Sequence, residues 1–127
     1  MSRLETVDRK NWREFMAAPK AVLMLANSWC PKCAAWSAEL EAFLAQDERF
    51  RDVRFGRIYL NRWRLRDFER SNPWIEAIDD LPHNVLLVNG EVRKSWPGGG
   101  IQRLLDRLEG EGAGPAAAAP EVPSPQI

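Results

Sequence analysis

Ala21-Val22-Leu23-Met24-Leu25-Ala26-Asn27-Ser28-Trp29-Cys30-Pro31-Lys32-Cys33 carries an unbroken apolar run directly into a tryptophan and a close cysteine pair. A run this short has the form of a strand covered on both faces of a sheet. The segment that follows reads as a helix packed on that sheet: Trp36, Leu40, Phe43 and Leu44 share one stripe, while Glu39, Glu41 and Gln46 fall largely elsewhere. Both cysteines of the chain therefore stand at a helix N-terminus. Unsatisfied backbone N–H groups and the positive end of the helix dipole favour a thiolate there. Cys30 is the candidate nucleophile. Cys33, one turn on, is placed to attack a mixed disulfide at Cys30 and is the candidate resolving thiol.

Working outward, Asp8 is a candidate cap for a short helix in which Trp12, Phe15 and Met16 recur at helical spacing, with Pro19 just beyond it. A further short strand is expected near Leu4 to Val7. Val53 to Leu60 alternates and then turns apolar, a second central strand reached through a helix, which implies parallel pairing in a βαβ unit. Asn61 to Asp80 reads as a helix broken near Asn72-Pro73, where proline suits a fresh helical start. Asn84 to Val88 and Glu91 to Trp96 flank Asn89-Gly90, the strongest short signal for a type I′ hairpin turn, so this pair is antiparallel. Gly98-Gly99-Gly100 leads into Ile101, Leu104, Leu105 and Leu108, an amphipathic last helix. From residue 110 onward the Gly, Pro and Ala content reads as a disordered tail, leaving 1–109 as a single domain.

A length of 127 residues with 45% hydrophobic and 28% charged side chains fits one soluble globular domain. Eighteen basic residues balance eighteen acidic ones, so no global field selects nucleic acid or an anionic membrane. Met1 to Lys10 lacks an apolar signal region, and no run approaches the roughly 20 apolar residues of a membrane span. The expectation is a cytoplasmic monomer. In a reducing compartment a close cysteine pair is redox-active or metal-binding rather than structural. A closed zinc site needs four ligands, and only Cys30, Cys33 and the single histidine, His83, are soft candidates, so zinc would require a carboxylate or a second chain.

With the C-x-x-C pair after an apolar strand, a Leu81-Pro82 step before another strand, an Asn-Gly hairpin before the last helix, and Trp29 directly before Cys30, the chain resembles the thioredoxin family over about residues 5 to 109. The resemblance implies an α/β fold with a central four- to five-stranded mixed sheet and helices on both faces. It also implies dithiol-disulfide exchange with protein or small disulfides, without a bound cofactor or metal and with recycling by a thioredoxin-reductase-type or other thiol reductant. Pro82 would be the cis-proline facing the thiols, and the backbone of Leu81 would pair with an extended substrate, so both read as substrate-positioning. The alternative is a non-catalytic binding or metal-carrying module on the same fold. Cys-Pro-x-Cys and the glycine cluster are also similar to glutaredoxins, but Ile101 and Gln102 stand where an acidic pair would hold glutathione.

The chain departs from the thioredoxin pattern at the site itself. Met24 occupies the place of a buried acidic residue that takes the resolving thiol's proton, which implies slower reduction through Cys33. Pro31-Lys32 replaces Gly-Pro between the cysteines; Lys32 adds positive charge near Cys30, favouring thiolate and a more oxidising potential. Ala38 replaces the helix-kinking proline. Trp29 is expected to offer a flat apolar contact. His83 is either a ligand or catalytic group near the thiols or a backbone-bonded strand start, and Arg57 either tunes the thiols or binds solvent. Arg62, Arg64, Arg66 and Arg70, interleaved with Trp63 and Phe68, are interrupted by Asp67 and Glu69, so they read as a solvated helix face over a buried aromatic stripe, not a nucleic-acid surface. Trp12, Trp36, Trp63, Trp74 and Trp96 read as core or rim packing.

Overall fold

β-Strand alternation divides the apolar residues of this chain between two cores. The computed structural model describes residues 2–62 and 64–110, so Trp63 and the expected tail from 111 onward lie outside the described residues. In chain order the elements are β1 (Leu4–Val7), α1 (Trp12–Met16), β2 (Lys20–Ala26), α2 (Pro31–Gln46), β3 (Arg54–Tyr59), α3 (Arg66–Ser71), a 3₁₀ turn (Pro73–Ala77), β4 (His83–Val88), β5 (Glu91–Pro97) and α4 (Ile101–Gly110). The five strands form one mixed sheet in the order β1-β3-β2-β4-β5. β1 and β2 pair parallel to β3, while β4 runs antiparallel to both β2 and β5.

β2 shows why a continuous apolar run is needed at the centre of such a sheet. Val22, Met24 and Ala26 enter one core with Cys33, Trp36, Leu40 and Leu44 of α2 and Leu104 and Leu108 of α4. Ala21, Leu23 and Leu25 point to the opposite face and pack with Trp12, Phe15 and Met16 of α1 and Phe68 of α3. The period of two sends successive side chains to opposite sides, so the stretch of a central strand covered by helix layers on both faces is apolar at successive positions, as residues 21–26 are. Trp12, Trp36 and Trp96 are buried, and Trp74 packs partly buried against the second core.

The hairpin turn has positive φ at both central residues, 53° at Asn89 and 84° at Gly90, as a type I′ turn requires. One expectation is corrected. Asp8 does not cap α1 directly: its carboxylate accepts the N–H groups of Lys10 and Asn11 in a turn, and the helix starts four residues on, at Trp12. The region after β3 breaks at Asn72-Pro73 as expected, but its helical pieces are shorter than the expected span, α3 over Arg66–Ser71 and a 3₁₀ turn over Pro73–Ala77. Pro73 opens the new piece, where a residue without an N–H suits a helical start.

Candidate active site

The carboxyl ends of β1, β3 and β2 and the start of β4 share one edge of the sheet, and the cysteine pair sits there. Cys30 is the N-cap of α2, with extended backbone (φ −93°, ψ 112°), and Pro31 is the first helical residue. Proline suits that position because its missing N–H would have no partner in the first turn. Cys30 Sγ accepts the backbone N–H of Cys33 at 3.1 Å, the bond a serine or aspartate would make as a cap.

The two thiols have opposite environments. The hydrogen bond from the Cys33 side chain holds the Cys30 thiol below its ordinary pKa; the backbone N–H groups of Cys33 and Lys32 and the Lys32 charge add to this, outweighing partial desolvation. Cys33 is only 1% exposed. Burial, with the Cys30 hydrogen bond and charge, pushes its pKa up to about 11. The pair is therefore a half-exposed thiol of lowered pKa over a buried thiol of raised pKa.

Around it, Trp29 is 70% exposed, a large apolar surface beside the half-buried Cys30. Lys32 and Pro31 are exposed on the first turn of α2. The Leu81 carbonyl lies 3.9 Å from Cys30 Sγ. The Leu81-Pro82 peptide is cis, and Pro82, buried, accepts the Gly98 N–H at 2.8 Å through its carbonyl. Met24 is fully buried beneath, with the Ser37 hydroxyl 3.6 Å from its sulfur. Ala38 lies on the exposed side of α2, away from the pair.

Sheet register places the remaining two candidates, His83 and Arg57, on opposite faces. His83 is in register with Leu25, which places it on the face of the second core, opposite α2. Burial holds its imidazole below the ordinary pKa against the charges of Asp79 and Asp80. Arg57 is in register with both Met24 and Thr6, and its guanidinium lies 4.9 Å from the Tyr59 ring centroid. Among the described residues no group of three or more His, Cys, Asp or Glu could hold a metal ion.

Two polar groups escaped the sequence reading. Asn84 is fully buried; its Oδ1 accepts Trp36 Nε1–H at 2.8 Å, and its Nδ2 donates to the Trp96 carbonyl at 3.2 Å and the Gly98 carbonyl at 2.7 Å. It fastens α2 and the glycine loop to the sheet. An amide within an otherwise apolar strand was the available signal. Asn61 accepts the Ser28 N–H at 3.0 Å and donates to its hydroxyl at 2.7 Å, tying the loop after β3 to the one before Trp29.

No protein-family model matches the sequence, and no curated protein matches it. Solved structures do match. Thioredoxin f2 of Chlamydomonas reinhardtii is similar with a TM-score of 0.68 at 20% identity, over 86% of this chain and 96% of that one. The short form of thioredoxin f from spinach chloroplast gives 0.67 at 20% identity, over 91% and 94%. A chain from the crystal structure of the complex of ferredoxin:thioredoxin reductase and thioredoxin f2 gives 0.65 at 17% identity, over 84% and 92%. A five-stranded mixed sheet in this order, with helices on both faces and these structural neighbours, makes this a thioredoxin fold.

Proposed function

We propose that the protein is a thiol-disulfide oxidoreductase. The observation that carries this reading is the split between its thiols: Cys30 caps α2 with a depressed pKa, and Cys33 lies buried behind it with a raised one. Cys30 as thiolate attacks one sulfur of a substrate disulfide; the S–S bond breaks, and the leaving sulfur departs as a thiolate that takes up a proton. Cys33 then gives its proton to solvent and attacks Cys30 Sγ, which releases the second substrate thiol and leaves a Cys30–Cys33 disulfide. A dithiol reductant returns the pair to the reduced state.

Trp29 and the Leu81 backbone form the docking surface in this reading, with Pro31, Lys32 and Pro82 shaping it. The exposed indole supplies flat apolar contact, and the Leu81 carbonyl near Cys30 aligns an extended segment as an added strand. The substrate is a disulfide-containing protein, the working state a monomer in the cytoplasm, and the electron source a thioredoxin-reductase-type or other thiol reductant. The neighbour solved with ferredoxin:thioredoxin reductase supports a reductase partner in general. No cofactor beyond the dithiol itself takes part.

Turnover of insulin disulfides with dithiothreitol tests the assignment. Cys30→Ser abolishes reduction, whereas Cys33→Ser leaves Cys30 able to form a mixed disulfide that accumulates as a stable adduct. A wild-type protein that reduces no disulfide with any thiol reductant and purifies with stoichiometric metal would instead be the metal-carrying module.

A further inference from the structure

A cavity of about 420 Å³ opens at the carboxyl ends of β1 and β3, on the same edge as the thiols but one strand over. Ligands of sheets with parallel strands gather outside those ends, where loops diverge and leave a crevice. Among the described residues Arg9, Lys10, Arg57 and Arg62 line it, against a single carboxylate, Asp8. Asp8 is already engaged, its Oδ1 accepting backbone N–H groups from Lys10 at 2.9 Å and Asn11 at 3.2 Å. Among the described residues none of the four cations forms an ion pair with a carboxylate.

The arrangement is electrostatically unbalanced. Arg57 and Arg62 lie 4.9 and 5.3 Å from the centroid of one Tyr59 ring, which holds two like charges near each other. Among the described residues Arg57 Nε–H, which is buried, has no hydrogen-bond partner, and its neighbour on β2, Met24, carries no charge. A buried donor left unpaired is a cost that a bound acceptor removes. The cavity has the volume of a small-molecule site, and guanidinium groups are the side chains suited to paired N–H···O bonds with phosphate or carboxylate.

We infer that this pocket binds a small multivalent oxyanion, a compound bearing phosphate groups or clustered carboxylates. Arg57 and Arg62 grip it over Tyr59, and Arg9 and Lys10 add charge from the β1–α1 loop. The bonds between Asn61 and Ser28 join the Arg62 loop to the loop before Trp29, so the pocket and the thiols share one rim. Binding itself does not depend on the redox assignment.

Titration calorimetry of the full chain at low ionic strength, with pyrophosphate and with citrate, tests the site. One saturable site is expected for at least one probe, weakening as salt is raised. Arg57→Gln and Arg62→Glu each weaken it by at least about tenfold, a loss of about 1.4 kcal/mol. Arg51→Glu, on an exposed loop outside the pocket, leaves it unchanged. Tighter pyrophosphate identifies a phosphate ligand and tighter citrate a carboxylate, and either supports the site. No saturable binding of either probe at millimolar concentration overturns it, as does equal weakening by Arg51→Glu or indifference to the pocket variants. Arg62→Glu alters an exposed side chain, so the test survives a failure of Arg57→Gln to fold.

Discussion

Cys30 and Cys33 are chemically identical residues that the fold makes different, and their spacing in the chain decides only part of the difference. Capping N–H groups reach Cys30 because it precedes a helix; the Cys33 pKa is pushed up because its side chain, on the first turn of that helix, is buried in the core that also holds Met24 and Trp36. Iodoacetamide should therefore modify Cys30 alone near neutral pH, with a rate midpoint below the ordinary 9.0, while Cys33 stays unreactive until the alkaline range near about 11. Lys32→Glu should raise the Cys30 midpoint, since a negative charge beside the sulfur disfavours thiolate. A midpoint at or above 9.0 in the wild type would remove the basis for assigning Cys30 as nucleophile. At Met24 no carboxylate is present to take the Cys33 proton, so the resolving step of the proposed exchange needs solvent or another acceptor.

At the scale of elements, the thiol site depends on how α2 and the loop before α4 are held against the sheet. Gly99 lets that loop cross Trp36: a Cβ there would stand 3.0 Å from the indole. Gly98 and Gly100 have positive φ, 85° and 116°, a conformation that disfavours other residues. Asn84 completes the join by bonding both Trp36 and the loop carbonyls. Asn84→Leu leaves the Trp36 N–H and two carbonyls without their partner, and should lower stability by about 3 kcal/mol in urea unfolding. A loss below about 0.5 kcal/mol would show that these groups find other partners. The hairpin was legible because Asn89-Gly90 carries its own geometry. The break at Asn72-Pro73 was legible from the proline, whereas the short extent of α3 and the 3₁₀ form of the next piece were not, because charged and apolar residues there satisfy several short helical patterns and tertiary packing of Phe68 and Ile75 chooses among them.

Across the whole molecule, charged residues join elements that lie far apart in sequence. Arg54 of β3 bonds Glu5 of β1 and Glu14 of α1, and Arg3 with the turn after α2 holds Asp47. The Arg54 hydrogen bond keeps the Glu14 carboxyl below its ordinary 4.5. At Asp47 burial opposes the shift, but the Phe50 N–H and Arg3 outweigh it and keep the carboxyl below 3.8. A depressed carboxyl contributes stability that is present above its unfolded pKa and lost as pH falls through the folded one. Acidification from about pH 5 should therefore destabilise the wild type more steeply than Arg54→Gln, read as urea midpoints across that range. Equal slopes would mean that the Glu14 contact does not form in solution.

Apolar runs, helical stripes, the Asn-Gly turn and the C-x-x-C spacing were enough to read the strands, most helices, the α/β class and the two thiols, because each is a local pattern with a local physical cause. Folding decided which side chains meet. Sheet register sent His83 to the face away from α2, set Arg57 beside an uncharged Met24, and gathered Arg9, Lys10 and Arg62 around it from separate loops. Those meetings depend on the strand order β1-β3-β2-β4-β5, in which β1 and β2, and β3 and β4, follow one another in the chain but are not paired in the sheet, so linear spacing carries little record of them.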